Sequence, residues 1–406
     1  MIRKLLVGLG LSSVLVGVFS SLQAKVAHPF AQQVHYHDSH TPSQYTHAQL
    51  ARYVARYYHQ WKREFVVKKG AFYRTASDKK DTHRTVSEGQ GYGMMIVALM
   101  AGEDKDAQKI FDGMYGFVKA YPSEANSAFM TWQIPEKKGE SDSAFDGDAD
   151  IAYALLLASK QWGNEGKIDY AKEAKKLIDS MMTYVIGKQS HLPLLGDWVD
   201  QNGKKYNQFT TRTSDFMPSH FRAFYRFSGD SRWLKVVEVT NHALRDIMQM
   251  PENKTALVSD FIRYNVTLKK FRPTKRTFLE EADDSYAYNA CRVPMRIGLD
   301  ALLNGDKGSQ KIAASMLDWI KHVSAGNPQK IYPGYRLSGK AIDKSYTSSV
   351  FTAPFGVAAK LGNNQPFLNA IFDAVKENHE NYYEDSVNLI SQLIMIDAFW
   401  DPTTVK

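Results

Sequence analysis

The run Ser87-Glu88-Gly89-Gln90-Gly91-Tyr92-Gly93-Met94 sets one carboxylic acid among small and polar residues. It heads an apolar stretch that continues through Ile96, Val97, Ala98 and Leu99. Further on, Ala144-Phe145-Asp146-Gly147-Asp148-Ala149-Asp150-Ile151-Ala152 repeats the arrangement before a second apolar run ending at Trp162. A glutamate at the mouth of a buried helix, beside glycines that admit a ligand to the backbone, has the makings of a binding cleft. Carboxylates clustered at such mouths are costly unless they perform chemistry or bind something. The candidate acids are Glu88, Asp146, Asp148, Asp150, Glu280, Glu281, Asp283 and Asp284. Two carboxyl groups on opposite sides of a sugar ring are what glycosidic hydrolysis needs: one protonated for the leaving oxygen, one ionised for water or the anomeric carbon. Trp132, Trp198, Tyr288 and Tyr346 offer aromatic faces suited to sugar rings, with core packing an equal alternative for each. Asp142, Asp283 and Asp306 read as solvated helix caps, a role that the neighbours of Glu88 fit poorly.

Other chemistries find little support. There is no HExxH, no CxxC, no Walker glycine loop and no Rossmann fingerprint. Asp146-Gly-Asp-Ala-Asp resembles part of a calcium loop but lacks the glutamate at the loop's twelfth position. Asp146, Asp148 and Asp150 are better read as acids favoured by a helix dipole, with one or more recruited into a site. No metal or cofactor is expected. The single cysteine, Cys291, reads as a small buried hydrophobe. A net charge of +8 without dense Lys/Arg blocks interleaved with aromatics reads as solvated surface and gives no sign of a nucleic-acid partner.

The elements that must position these residues are helical. Leu50, Tyr53, Val54, Tyr57, Tyr58 and Trp61 recur at helical spacing. Residues 89–101 and 148–162 are apolar nearly all round, whereas 107–121 and 168–186 carry one apolar stripe. Further helices are predicted over 215–227, 231–249, 287–303, 309–324, 346–361, 366–377 and 385–399, twelve in all. A helix apolar all round must be surrounded, and a striped one faces water on one side. Their alternation predicts an all-α closed toroid of six helical hairpins, with inner and outer layers and no central sheet. Three long connections, roughly 122–145, 187–214 and 250–286, carry Trp132, Trp198 and the later acids, so one rim should gather them into a cleft. Residues 1–24 read as a signal peptide, with Arg3 and Lys4 before an apolar Leu5–Val18 and cleavage expected near Ala24, an uncleaved anchor being the alternative. Residues 25–43 read as a flexible polar approach; His28, His35, His37 and His40 there have the alternatives of metal binding and, preferred, a solvated tail. Residues 44–406 are expected to form one catalytic domain, secreted, monomeric and free of the membrane in its mature form.

Ser87–Met94 and Asp146-Gly147-Asp148-Ala149-Asp150-Ile151-Ala152-Tyr153 resemble the two signatures of glycoside hydrolase family 8, and Tyr288-Asn289-Ala290-Cys291-Arg292-Val293-Pro294 resembles its third block. The resemblance covers residues 45–400 in order. It implies an (α/α)6 toroid and inverting endo-hydrolysis of β-1,4-linked glycans. By position it makes Glu88 the general acid and Asp146 the aspartate that binds and helps distort the sugar. Arg292 and Tyr288 then line that subsite and Trp132 is an aromatic platform. Tyr92, Trp198, Asn289 and Tyr346 complete the expected substrate-contacting set. Two departures stand out. Phe145 replaces the usual Ser or Thr, and Asn289 stands where many members carry an aspartate base. An amide cannot accept water's proton. A branch of the family similar in having Asn takes its base from a glutamate in the preceding loop, which points to Glu280, with Glu281 in reserve.

The substrate expected is a polysaccharide, with a narrow preference for neutral β-glucan of the cellulose or mixed-linkage β-1,3-1,4 type. A chitosanase is the alternative; the acids at 280–284 suit a polycation, while the basic overall charge repels one. Trimming of a self-made exopolysaccharide, or non-catalytic glycan binding with Asn289 marking a dead site, are the remaining readings.

Overall fold

The computed structural model describes residues 26–34, 36, 37, 39–136 and 139–405. The leader and His35 lie outside them. Among the described residues no helix is long and apolar enough to cross a membrane, and no group of His, Cys, Asp and Glu is arranged to hold a metal.

Twelve α-helices stand where the periodicity predicts them. They are α1 (His47–Phe65), α2 (Ser87–Leu99), α3 (Ala107–Ala120), α4 (Phe145–Trp162), α5 (Tyr170–Tyr184), α6 (Pro218–Ser228), α7 (Arg232–Met248), α8 (Val293–Asn304), α9 (Lys307–Val323), α10 (Ser349–Ala359), α11 (Gln365–Val375) and α12 (Tyr382–Met395). The even-numbered helices form the inner layer. Each packs on the next, and α12 closes on α2. The odd-numbered ones lie outside; α1 packs on α12, so the sixth hairpin joins the first and last helices. The fold is an (α/α)6 toroid.

Patterning explains the layers. Every residue of α2 except Glu88 is buried, and all of α10 is, whereas α3 buries one stripe containing Ile110, Phe111, Met114, Phe117 and Val118. Each large apolar side chain so enclosed contributes about 1.5–3 kcal/mol. Helix α1 begins with a capping box in which Thr46 and Gln49 satisfy each other's backbone.

The glycines expected to admit a ligand serve a different end. A Cβ on Gly91 would lie 2.7 Å from Asp150 Cβ, and one on Gly147 would lie 2.6 Å from the Ser87 carbonyl carbon. They let α2 and α4 touch backbone to backbone, which sets Glu88 beside Asp146.

Among the described residues seven short strands occupy the loops, with no central sheet. β1 (Val66–Lys69) pairs with β2 (Phe72–Thr75), and β3 (Thr85–Val86) with β4 (Gln133–Ile134). β5 (Thr210–Arg212), β6 (Phe261–Asn265) and β7 (Lys270–Pro273) form a three-stranded antiparallel sheet from two of the long connections.

Within 25–43, expected as a flexible approach, the described residues between 26 and 40 instead cross the end of the toroid where the inner helices finish. Backbone N–H groups of Ala27, Phe30, Val34, His37 and His40 donate to carbonyls of Gln161, Ala101, Asp397, Leu302 and Lys360. These carbonyls lie at or just past inner-helix C-termini, where acceptors lack intrahelical partners, and the strap supplies donors. Buried Lys360 adds its ammonium to His40 O at 2.7 Å and Asp397 Oδ1 at 2.8 Å.

Candidate active site

The opposite rim gathers the starts of all six inner helices, and each delivers polar side chains from its first turn or the residues just before it. Arg292, just before α8, is the hub. Its Nη1 donates to Glu88 Oε2 at 2.5 Å, to Asp146 Oδ2 at 3.0 Å and to the Tyr92 hydroxyl at 3.0 Å. Its Nη2 donates to Ser214 Oγ at 2.9 Å and Asn289 Oδ1 at 3.2 Å. Asp146 Oδ1 faces Arg212 at 2.9 Å, and Arg212 also pairs with Asp215 at 2.9 Å. Tyr382, opening α12, donates to Glu88 Oε1 at 2.9 Å.

The charges sort the two acids at the centre. Burial raises the pKa of Glu88, and the Asp146 charge adds to that against the pull of Arg292, Arg212 and Tyr382. Burial works on Asp146 in the same direction, but Arg212 and Arg292 outweigh it and hold its carboxyl at about 2. Neighbouring carboxyls pushed apart in this way can divide proton donation and charge stabilisation between them.

Asn289 connects this centre to the long loop. Its Nδ2 donates to Glu280 Oε2 and to Asp260 Oδ2, both at 3.2 Å. Asp260 also accepts from the backbone N–H groups of Ala287, Asn289 and Ala290 at 2.9, 3.0 and 2.7 Å. Burial pushes Asp260 up to about 6 despite these donors. The two candidate acid–base residues therefore sit at the ends of one relay: Glu88, Arg292, Asn289, Glu280.

A match to the family model described as glycosyl hydrolases family 8 spans residues 43–396. The chain belongs to that family. It is 38% identical over 397 residues to an endoglucanase from Bacillus sp. (strain KSM-330), covering 94% of this chain and 84% of that protein. It is 37% identical over 382 residues to a beta-glucanase from Niallia circulans, covering 92% and 91%. Among solved structures, the apo β-1,3-1,4-glucanase from Paenibacillus sp. X4 superposes with a TM-score of 0.88 at 36% identity, over 92% of this chain and 99% of that one.

In this family 8 hydrolase the other expected site residues divide by depth. Tyr92, expected to contact a ligand, is fully buried; it braces Arg292 from beneath because α2 is wrapped on all sides. Tyr288 and Tyr346 are exposed at the rim and joined hydroxyl to hydroxyl at 2.8 Å. Trp198, 37% exposed, stands edge-on to Tyr206, which packs on Phe278 two residues before Glu280. Trp132 is half-buried, and its carbonyl accepts from the Ser87 N–H at 2.8 Å, next to Glu88. Glu281 is exposed, and the Asn289 bond goes to Glu280 instead. Asp283, expected as a solvated cap, is buried and accepts from the backbone N–H of Leu279 and Glu280 at 2.6 and 2.9 Å. It shapes the turn that carries Glu280. Asp306 does cap its helix, accepting from Ser309 N at 2.7 Å.

Asp150 is drawn away from the centre, paired with Arg296 at 2.6 and 2.8 Å and with His220 at 3.0 Å. Phe145 is buried against Phe221, so no hydrogen bond to Asp146 comes from that position. Cys291 is buried and its thiol is pushed up to about 12, chiefly by burial. Sequence reasoning missed Tyr382, Arg212, Ser214 and Asp260. Each lies outside the three motifs: Arg212, Ser214 and Asp260 fall in the long connections expected at the rim, and Tyr382 just before the helix predicted from 385.

Proposed function

We propose that this protein is a secreted, endo-acting β-glucanase that cleaves β-1,4 bonds of cellulose-type or mixed-linkage glucan with inversion. The observation that carries the reading is the Arg292 relay, which joins Glu88, Asp146 and, through Asn289, Glu280 in one site. Endo action and the neutral glucan class follow from relatives named endoglucanase, beta-glucanase and β-1,3-1,4-glucanase that match along most of their length.

Glu88 acts as general acid. Its raised pKa keeps the proton that the glycosidic oxygen needs on leaving, and sugar binding takes over Arg292 as the pair opens. Glu280, presented by Asn289, draws a proton from the water attacking the opposite ring face. Inversion needs the two carboxyls about 6.5–9.5 Å apart so that the water fits. Asp146, held ionised, binds the sugar and favours the positive charge that develops at the ring. Tyr288, Tyr346, Trp198 and Trp132 supply aromatic faces along the groove. We further propose that residues 1–24 are a leader removed near Ala24 and that the mature enzyme works as a monomer.

The test is reducing-sugar release from barley glucan, carboxymethylcellulose and chitosan, with the product anomer followed by NMR. Rapid viscosity loss on the glucans with an initial α-anomer supports the proposal. Cleavage of chitosan alone, a β-anomer, or binding with no release on any of the three would each overturn it. N-terminal sequencing of exported protein and its size in solution check the leader and the monomer.

A further inference from the structure

The positive charge of this protein is concentrated on one sheet. Residues 201–214 and 261–279 hold nine of the 51 Lys and Arg and no Asp or Glu, so the rest of the chain is close to balance with 42 cations against 43 acids. These two segments, separate in sequence, are joined by the β5–β6–β7 pairing. Lys204 and Lys205 project from the loop before β5, and the Lys204 carbonyl accepts from Arg263 Nη2 at 3.1 Å. The hairpin adds exposed Arg263, Lys269 and Lys270 and half-buried Arg272, and its exit adds Lys275 and Arg276.

Register makes the arrangement costly. Arg263 stands directly opposite Arg272, and Asn265 opposite Lys270. Like charges facing across a strand pair destabilise it, and neither β6 nor β7 carries an acidic side chain to offset them. Beside the two arginines opens a cavity of about 440 Å³, also lined by the half-buried rings of Phe209 and Tyr264, 6.2 Å apart, and by Asn207 and Asn265. Arginine forks match carboxylates, amides match hydroxyls, and an aromatic ring matches the apolar face of a sugar. A bare lipid surface would call on the hairpin tip, where Val266 and Leu268 are exposed, but it has no use for a cavity walled by rings and amides.

We propose that this face is a second glycan site, separate from the cleavage centre, that binds an acidic polysaccharide bearing sugar carboxylates. It goes beyond the glucanase reading and does not depend on it. A polyanion there relieves the Arg263–Arg272 repulsion and tethers the enzyme to an anionic matrix. The β5 strand that carries one edge of the site also carries Arg212, which reaches Asp146, so the tether lies next to the cleft.

The probe is polygalacturonate, with mobility in affinity gels and the melting temperature as readouts. Wild-type protein should be retarded at low salt and stabilised, with both effects fading at high salt as screening sets in. Arg263→Gln/Arg272→Gln should weaken retardation at least fivefold, hold or raise the melting temperature of the free protein, and leave glucan hydrolysis unchanged. Lys269→Gln/Lys270→Gln, a second variant that keeps the Arg263–Arg272 pair, should also weaken retardation. Phe209→Ala should weaken binding without altering charge, while Lys172→Gln/Lys176→Gln on α5 should not. No retardation of the wild type, equal loss in the α5 variant, or unchanged binding in Phe209→Ala would overturn the site. Binding to phosphatidylglycerol vesicles but not to polygalacturonate would overturn it in favour of a lipid surface.

Discussion

Asn289 and Glu280 stand 3.2 Å apart, amide nitrogen to carboxylate oxygen, and the same nitrogen reaches Asp260. An amide that fills both of its donor directions with carboxylates, while its oxygen receives Arg292, has a single usable rotamer. The residue that looked like a lost base thus acts as a fixed bracket for Glu280, the proposed base.

Glu280→Gln should lower kcat on barley glucan by about 10²–10⁴-fold, the range expected for a general base, with the fold intact by circular dichroism. Glu281→Gln should stay within about twofold, because its side chain lies outside the Asn289 bracket. Equal losses in the two variants, or loss only at 281, would move the base by one residue.

Asn289→Ala should cost activity although the position carries no proton. It releases Glu280, leaves a buried Asp260 oxygen with one donor fewer and frees one side of Arg292. A fall in kcat of about tenfold or more with little change in KM is expected, since orientation is lost and not sugar contact. A KM effect alone would argue that Asn289 mainly touches substrate.

The alkaline limb of the pH–rate profile should follow Glu88, whose proton must be present; activity falls as pH rises through its raised pKa. The Tyr382 hydroxyl favours the charged form of Glu88, so Tyr382→Phe should move that limb to higher pH. A shift to lower pH, or none, would show that Tyr382 does not tune the acid.

Stability should fall between about pH 4 and pH 7. Asp260 is raised to about 6 and Asp215 to about 7, each chiefly by burial. The folded state therefore holds protons there that the unfolded chain has released, and their contribution is lost as pH rises through those values. Asp146 works the other way: held at about 2, it stabilises above its ordinary value near 3.8, and that gain is lost as pH falls toward 2. Melting temperature measured from pH 3 to pH 8 should peak on the acidic side of neutral; a steady rise to pH 8 would contradict it.

Gly147→Ala should destabilise by about 1–3 kcal/mol, since its methyl would lie 2.6 Å from the Ser87 backbone and force α2 and α4 apart. Activity should drop with it, because Glu88 follows Ser87. Denaturant titration and kcat in the same buffer check both.

Twelve helices, their inner and outer alternation and the acids at the mouths of α2 and α4 were legible because each depends on local period and composition. Helix starts at the rim were less so. The helix predicted from 287 begins at Val293, since Ala287, Asn289 and Ala290 give their N–H groups to Asp260 and not to a helical turn. The strap over 26–40 reads as a polar tail because its bonds go to carbonyls far along the chain, which no local pattern encodes.

The sequence by itself determined that this chain closes into a helical ring with carboxylates at one rim, for apolar periodicity dictates which helices must be surrounded. Its resemblance to family 8 also pointed to Glu88 as the proposed acid and to the loop around 280 for the proposed base. Only the tertiary structure decided which glutamate Asn289 holds, what Asp260 and Tyr382 do, and where the charge collects. Those outcomes depend on side chains that meet across the toroid or along the β5–β6–β7 sheet. Contacts between distant positions are set by packing geometry, and packing is absent from any local window of residues.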